Sequence, residues 1–296
     1  MRRKILPTFK IEKSLWKRGF FVIGVDEVGR GALAGPLYVG AVVFNFNKAR
    51  YRVSRFEELP SKLIVPIKSG SKQVSSLYVI TKISSGGKVP FFTLTESEEI
   101  ERLGINDSKK LSPIKREKLA KIIKNTCFAY ATASVSNKVI DKVGITKATQ
   151  IAMRKAINKL RDKSYELRGK KLFILVDAFY VKFLKGIGLK NQKAIIKGDE
   201  KSISIAAASI IAKVERDQNM IKLDQEYPIY FWKNNKGYGT RNHIEAIKKF
   251  GKSKLHRDLF FEKDTIDITY NFFLWMFFCL LFHLFFCPQL LIWLKR

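Results

Sequence analysis

FFVIGVDEVGRG, the stretch from Phe20 to Gly31, joins an apolar run to two carboxylates and a glycine turn. The run from Phe20 to Val25 has the length and the β-branched composition of a buried strand. Burying the adjacent carboxylates of Asp26 and Glu27 is costly unless a cation compensates them, and like charges resist joint ionisation. The simplest compensation is a divalent cation, which leaves the cation of Gly29-Arg30-Gly31 for a phosphate. The alternative is a strand that merely ends in a polar turn.

Three further runs predict strands. Leu37 to Phe44 (LYVGAVVF) is close enough to the first strand to pair antiparallel with it, and Cys127 to Val135 is the third strand. Lys171 to Val176 (KLFILV) is continuously apolar, which is typical of a strand covered on both faces. It follows a helix, so we expect it to lie parallel to an earlier strand through a crossover connection. Because this run ends in Asp177, pairing with the first strand would bring Asp177 to Asp26.

The predicted helices carry core residues and start signals. A capping serine and a first-turn proline, Ser112-Pro113, begin a helix that runs to about Asn125. An alanine-rich helix covers residues 202–225, and a last helix covers residues 243–250. The helix from Ile145 to Leu160 has a core stripe at helical spacing, to which we assign no chemistry: Thr149, Ala152, Met153, Ala156, Ile157 and Leu160.

The charge of the chain points to a polyanionic partner. Its 296 residues include 56 Lys and Arg against 26 Asp and Glu, a net charge of +30. Nucleic acid is favoured over a membrane surface because the basic residues are spread along the whole chain. Three cysteines without a CxxC pair argue against a disulfide framework and against zinc. The basic N-terminus lacks the apolar region of a secretion signal, so we expect a cytoplasmic protein.

The carboxylates suit phosphodiester hydrolysis. This reaction needs an activated water and a neutralised leaving oxygen, and two divalent ions roughly 3.5–4 Å apart supply both. Magnesium or manganese at such sites takes hard oxygen ligands. Asp26, Glu27 and Asp177 are the expected metal ligands and catalytic residues. The fourth is either Asp199, after a glycine just before the alanine-rich helix, or Asp217, about four turns into that helix.

Five motifs together resemble the type 2 ribonucleases H, the ribonuclease HII family. They occur in order over roughly Val22 to Phe260: GVDEVGRGALAGP from Gly24, INDSKKLS from Ile105, LVDAF from Leu175, KGDEKSISIAAASIIAKVERD from Lys197, and KGYGT from Lys236 followed by His243. Any one of these motifs could arise by chance. Five in the correct order are a strong signal.

The resemblance implies an α/β ribonuclease H-like fold over residues 1–262. The expected sheet is mixed and five-stranded, with three antiparallel strands, a parallel addition and flanking helices. The resemblance favours Asp199 as the fourth ligand and leaves Asp217 close by. It implies metal-dependent cleavage of the RNA strand of RNA–DNA hybrids. It also implies incision 5′ to single ribonucleotides in duplex DNA, leaving 3′-hydroxyl and 5′-phosphate ends.

Candidate substrate contacts accompany the carboxylates. Gly29 and Gly31 lack a Cβ, so backbone can approach a sugar closely. In the resembled family this Gly-Arg-Gly, which includes Arg30, reads the 2′-hydroxyl that distinguishes RNA from DNA. Lys109 and Lys110 are candidate phosphate contacts, with a solvated lysine pair as the alternative. We interpret Tyr238 as an exposed aromatic that stacks on a sugar or base, the alternative being a tyrosine that closes a turn.

Two segments fall outside the resemblance. Residues 46–104 read as a β-prone insertion, with a hairpin from Ser76 to Ile83 and Val89 to Thr95. Asn271 to Leu294 is an apolar tail of the length that a bilayer helix needs, about 20 residues. Pro288 interrupts it, so a membrane anchor competes with a dispensable extension. We expect a monomer.

Two other functions compete with this interpretation. The same carboxylates on this fold serve other nucleases and strand-transfer enzymes, which substrates differing only at the 2′-hydroxyl would separate. A non-catalytic, basic nucleic-acid-binding protein is the second alternative. The presence of all four acids argues against it.

Overall fold

The computed structural model describes residues 6–44, 67–69, 72–74 and 96–261. A five-stranded mixed sheet has the strand order β5-β2-β1-β6-β7. Its strands are β1 Phe21–Val28, β2 Leu37–Phe44, β5 Ala129–Val135, β6 Leu172–Asp177 and β7 Gln192–Ile195. A separate two-stranded sheet pairs β3 Ile67–Ser69 with β4 Lys72–Val74.

The register of the central strands confirms the predicted parallel addition. β1 and β6 run parallel from Phe21 opposite Leu172 to Val25 opposite Val176. β7 is added parallel to β6 on its other side. Both central strands are apolar and buried, as expected where helices cover the two faces of a sheet. β1 continues to Val28, so Asp26 and Glu27 lie within the strand rather than beyond its end.

The helices α1–α8 cover Lys10–Trp16, Glu96–Arg102, Pro113–Thr126, Asn137–Val143, Ile145–Lys163, Ile203–Glu226, Trp232–Asn235 and Arg241–Phe250. α3 begins as predicted, with Pro113 in its first turn and the Ser112 hydroxyl accepting a hydrogen bond from the Lys115 N–H. The predicted stripe on α5 is buried throughout. These helices confirm the predicted elements within a few residues at each end.

The packing of α6 against β1 depends on Gly24. A Cβ at this position would lie 2.1 Å from the backbone carbon of Ser204, which no side chain tolerates. The start of α6 is held by the buried carboxylate of Glu12 on α1. This carboxylate accepts hydrogen bonds from the Ser202 hydroxyl (2.6 Å) and the Ser204 N–H (3.0 Å). Because the 3₁₀ turn Gly198–Glu200 directly precedes this start, the same contacts fix the region around Asp199.

Contacts divide the chain into two compact units. The first comprises Met1–Asp26, Ala41–Ala131 and Leu160–Ile211, and the second comprises Glu27–Gly40, Thr132–Lys159 and Ala212–Arg296. The second unit has its own apolar cluster around Trp232 and Tyr230, which are stacked with ring centroids 5.3 Å apart. Met220, Ala34 and Ala246 complete this cluster.

The predicted insertion is shorter than expected at its C-terminal end. Residues 96–102 form α2, whose Ile100 is buried and whose Glu101 carboxylate accepts a hydrogen bond from the Phe9 N–H at 2.9 Å. Because this segment packs on the core of the first unit, it is not part of the predicted β-prone insertion. The predicted hairpin from Ser76 to Ile83 and Val89 to Thr95 lies outside the described residues.

The apolar tail, residues 271–294, also lies outside the described residues. Within the part of the chain that the structure describes, no helix is both long and apolar enough to cross a membrane. The membrane anchor and the dispensable extension both stay predictions.

Candidate active site

Asp26 and Asp177 occupy corresponding positions on neighbouring parallel strands. Val25 lies opposite Val176 in the parallel register, and each carboxylate is the next residue on its strand. Asp26 is buried, although it carries an ionisable group. The structure thus confirms that the sheet brings these two residues together.

Asp177 is oriented by the turn that follows β7. Its Oδ1 atom accepts a hydrogen bond from the Gly198 N–H at 2.7 Å. A Cβ at Gly198 would lie 2.6 Å from Ile205 Cδ1 and 3.4 Å from this same oxygen, so a larger residue would force the buried Ile205 side chain to shift. The chain turns away immediately after the carboxylate, because Ala178 has a φ of 65° and the Phe179 N–H bonds back to the Asp177 carbonyl at 2.9 Å.

Asp199 joins Asp177 at this edge of the sheet. It lies in the 3₁₀ turn Gly198–Glu200. Burial, followed by repulsion from Asp107 and from Asp177, raises the pKa of Asp199 to about 6. The structure therefore brings Asp199 together with Asp177. Asp217 instead forms an ion pair with Lys213, one turn away on α6, with Nζ and Oδ1 2.6 Å apart.

Asp107 is a carboxylate that sequence reasoning missed as part of this group. It is buried, its Oδ1 accepts a hydrogen bond from the Lys109 N–H at 2.8 Å, and its own N–H donates to Asn106 Oδ1 at 2.8 Å. The buried guanidinium of Arg116 donates to the carbonyls of Ser108 and Leu111 and holds the turn in place. The motif INDSKKLS contained the signal, because its aspartate precedes the lysines that were assigned to phosphate binding.

The two lysines of this motif are exposed, as a phosphate contact requires. Lys110 already forms an ion pair with Glu200, with Nζ and Oε1 2.8 Å apart. This hydrogen bond raises the pKa of Lys110 and lowers that of Glu200. A phosphate at Lys110 would have to compete with Glu200, so the role assigned to Lys109 and Lys110 stays a prediction.

In the second unit, Glu27 and Arg30 face one another, with Oε1 and Nη1 3.7 Å apart. The two glycines beside Arg30 have different environments. Gly29 has a φ of +88°, and a Cβ there would lie 2.1 Å from the Nε atom of Arg216. Gly31 is exposed, and a Cβ there would meet no described atom within 4 Å. Gly29 packs on Arg216 and the exposed backbone is at Gly31, and the sugar contact assigned to the two glycines stays a prediction.

Two buried arginines hold the glycine turn by its carbonyl oxygens. Arg257 donates to the carbonyls of Gly29 (2.7 Å), Arg30 (3.0 Å) and Gly35 (2.9 Å). Arg216 donates to the carbonyls of Pro36 (3.0 Å) and Ala34 (3.3 Å). Burial lowers the pKa of both guanidiniums, that of Arg257 to about 9. Sequence reasoning missed both residues, although KVERD and HRDLF contain them.

Tyr238 is half-buried rather than exposed. The guanidinium carbon of Arg216 lies 5.2 Å from its ring centroid, and Nζ of Lys213 lies 5.7 Å from it. The ring therefore packs on cations of α6, which fix its position. The flanking glycine Gly237 is required here, since it has a φ of +79° and a Cβ would lie 2.5 Å from the Ala34 carbonyl oxygen.

A buried histidine pair supports the Tyr238 backbone. His243 Nδ1 lies 2.8 Å from the Tyr238 carbonyl, and its Nε2 accepts a hydrogen bond from Trp232 Nε1 at 3.0 Å. Nε2 of His256 lies 3.2 Å from the same His243 atom, and Nδ1 of His256 accepts from the Ser253 N–H at 2.8 Å. This pattern assigns a proton to His243 Nδ1 and one to His256 Nε2. Burial lowers both pKa values, that of His256 to about 4, so both rings are neutral.

The donor chemistry of the carboxylates fits a hard divalent cation. All the predicted ligands supply oxygen, the type of atom that magnesium and manganese prefer. The repulsion that Asp107 and Asp177 exert on Asp199 is relieved when a cation lies among them. Among the side chains described in residues 6–44 and 97–261, no group of three or more Asp, Glu, His or Cys is arranged to hold an ion.

The sheet order, with aspartates on the neighbouring strands β1 and β6, matches the expected ribonuclease H-like fold. Comparison with known proteins identifies the family. The family model for ribonuclease HII matches residues 89–263. Ribonuclease HII of Caldicellulosiruptor bescii is 37% identical over 250 residues, which are 84% of this chain and 91% of that protein. The Clostridioides difficile enzyme is 38% identical over 257 residues, 86% of this chain and 76% of that protein.

The chain therefore belongs to the ribonuclease HII family and is an endonuclease that cleaves the RNA strand. Solved structures agree on the fold. Ribonuclease HII of Archaeoglobus fulgidus, from its complex with PCNA, has a TM-score of 0.52 at 22% identity; the match covers 80% of this chain and 94% of that one. Ribonuclease H2 of Pyrococcus horikoshii has a TM-score of 0.50 at 24% identity, covering 80% of this chain and 92% of that one.

Proposed function

We propose that this chain cleaves the RNA strand of RNA–DNA hybrids and incises duplex DNA 5′ to single ribonucleotides. The reaction is two-metal-ion phosphodiester hydrolysis that leaves 3′-hydroxyl and 5′-phosphate ends. The observation that carries the proposal is the convergence of Asp26, Asp177 and Asp199 at one edge of the sheet, with Asp177 fixed by Gly198. We further propose that the enzyme acts as a monomer in the cytoplasm.

Asp26, Glu27, Asp177 and Asp199 would hold magnesium or manganese. When bound, such ions supply an activated water and neutralise the charge on the leaving oxygen. Asp26 is buried, and Glu27, Asp177 and Asp199 are half-buried. Burial is the main reason that the pKa of Asp199 is raised. The Gly198 N–H orients Asp177, and Arg116 holds the turn that carries Asp107.

The glycine turn and Tyr238 select the ribonucleotide. The exposed backbone at Gly31 is open to a 2′-hydroxyl, and the side chain of Arg30 lies beside it. The carbonyls of this turn are held by Arg216 and Arg257, so its shape is set before a substrate arrives. Tyr238 contributes positioning, since its ring is already fixed against Arg216.

One experiment separates this function from its alternatives. Three duplexes of one sequence are incubated with the enzyme: all-DNA, one embedded ribonucleotide, and an RNA–DNA hybrid, each with and without magnesium or manganese. We expect cleavage only where a 2′-hydroxyl and metal are both present, with the single cut on the 5′ side of the ribonucleotide. Cleavage of all-DNA duplex would indicate another nuclease of this fold. Binding without any cleavage would indicate a non-catalytic basic protein.

A further inference from the structure

The loop from Ala178 to Asn191, between β6 and β7, is anchored at several points in the first unit. The side chain of Gln192 forms two hydrogen bonds with the backbone of Val181: it accepts from the Val181 N–H at 2.9 Å and donates to the Val181 carbonyl at 3.0 Å. Val181, Leu184 and Ile187 are buried at every third position. Arg161 on α5 donates to the Lys185 carbonyl at 2.9 Å. The loop is therefore held in one shape.

The tip of this loop carries an aromatic ring, Phe183, that is exposed and does not pack in the core. Phe183 exposes 90% of its surface and has a φ of 56°. A bulky residue in the left-handed region is strained, and an exposed phenyl ring gains nothing from burial. Glycine would meet the conformational demand better. Strained, exposed residues held by an anchored loop are typical of binding positions.

The charges around the ring indicate what it binds. Lys182 and Lys185, on either side of Phe183, are exposed, as is Lys190 further along the loop. An aromatic ring between lysines matches a nucleic acid, whose phosphates pair with the ammonium groups and whose sugars and base edges pack on the ring. The net charge of +30 favours the same partner.

The position of the loop limits where the contact falls. Phe183 follows Asp177 by six residues, so their Cα atoms are at most about 22 Å apart. A duplex rises 3.4 Å per base pair along each strand, so this reach spans about six base pairs. We propose that Lys182, Phe183 and Lys185 form a second contact on the duplex substrate, within about six base pairs of the cut. This inference rests on the proposed function only for the identity of the substrate.

The test measures binding to an all-DNA duplex of 24 base pairs, so its result does not depend on cleavage. Phe183→Ala should raise Kd about tenfold and leave the dependence of log Kd on log salt unchanged. Lys182→Gln/Lys185→Gln should reduce that slope by about 1.8, since each lost phosphate contact removes about 0.9. Two controls lie in or just after the turn that precedes β6. Tyr165→Ala removes a ring that is 78% exposed and Lys170→Gln removes an exposed charge, and both should keep Kd within about twofold.

A further variant separates binding from folding. Phe183→Gly should melt at a higher temperature than wild type, because it relieves the left-handed strain, yet bind as weakly as Phe183→Ala. The proposal requires both the loss of affinity and the change in salt slope. A Kd for Phe183→Ala within about twofold of wild type, or an unchanged slope for the double lysine variant, would overturn it. Equal losses in the two controls would overturn it as well.

Discussion

Gly198 shows how one residue without a side chain determines the position of a reactive carboxylate. Its N–H donates to Asp177 Oδ1 at 2.7 Å, and Ile205 leaves no room for a Cβ. Ile205 is fully buried on α6, so it cannot move aside easily. The orientation of Asp177 therefore depends on close packing as much as on the hydrogen bond.

We expect Gly198→Ala to lower turnover at least about tenfold, because the new methyl group displaces the turn that orients Asp177. Overpacking should also reduce the free energy of unfolding by about 1–3 kcal/mol. Gly188→Ala is a matched control, since a Cβ there would meet its nearest atom only at 4.0 Å. Turnover and urea denaturation of both variants check the prediction. Full activity in Gly198→Ala would show that the orientation of Asp177 does not depend on Gly198.

Tyr238 provides a second test at a single side chain. Its ring is positioned by Arg216 at 5.2 Å, so we expect Tyr238→Ala to impair cleavage at a single ribonucleotide more than it weakens duplex binding. Kinetic constants and Kd for the same duplex give the comparison. Equal weakening on every duplex with unchanged turnover would mean that the residue is only a general contact.

The elements of the fold could be predicted where local sequence determines them. β2 was predicted at its observed bounds, since LYVGAVVF is a continuous apolar run between turns. α3 was predicted from Ser112-Pro113 because capping is local chemistry. α2 was not, since its identity as a core helix depends on the contact of Glu101 with Phe9, 92 residues away.

The residues of the candidate site also fall into those that could be predicted from local sequence and those that could not. The positions of Asp26 and Asp177 could be predicted, because each carboxylate directly follows a buried apolar run and the two runs pair in parallel. The roles of Arg216 and Arg257 could not be predicted, because an arginine in a basic chain normally indicates a nucleic-acid contact. Their burial and their carbonyl partners exist only in the folded chain, as Arg257 and Gly29 are 228 positions apart.

The buried histidine near Trp232 should make the free energy of unfolding depend on pH. The pKa of His256 falls from an ordinary value near 6.5 to about 4 in the folded chain. As pH falls, His256 is therefore protonated in the unfolded chain before it is protonated in the folded chain. Its contribution to the free energy of unfolding is present above pH 6.5 and is lost between pH 6.5 and 4. From this residue alone we expect a loss of about 2 kcal/mol between pH 7 and pH 5.

Urea denaturation at pH 7 and pH 5 measures this loss, and His256→Gln should reduce the difference between the two pH values. An equal pH dependence in wild type and variant would show that the histidine pair does not limit stability in acid. The comparison of the two proteins at each pH separates the contribution of His256 from that of Asp199, whose pKa is raised to about 6.

At the scale of the whole molecule, we predict that the catalytic domain ends near residue 262. The family match ends at residue 263, and the described structure ends at residue 261. We expect a protein ending near Lys263 to fold, remain soluble and keep full activity. Circular dichroism and cleavage of the single-ribonucleotide duplex test this. Unfolding or loss of cleavage would show that the apolar tail belongs to the core and that the domain boundary at about residue 262 is wrong.

The most direct test of the carboxylate site is Asp177→Asn assayed on the duplex with one ribonucleotide. The substitution keeps the size of the side chain and its hydrogen-bond acceptor for Gly198 while it removes one negative charge. We expect cleavage to be abolished and duplex binding to be retained or slightly tighter, since the site repels a polyanion less. Retention of more than about a tenth of wild-type turnover would contradict the assignment of Asp177 as a metal ligand and catalytic residue.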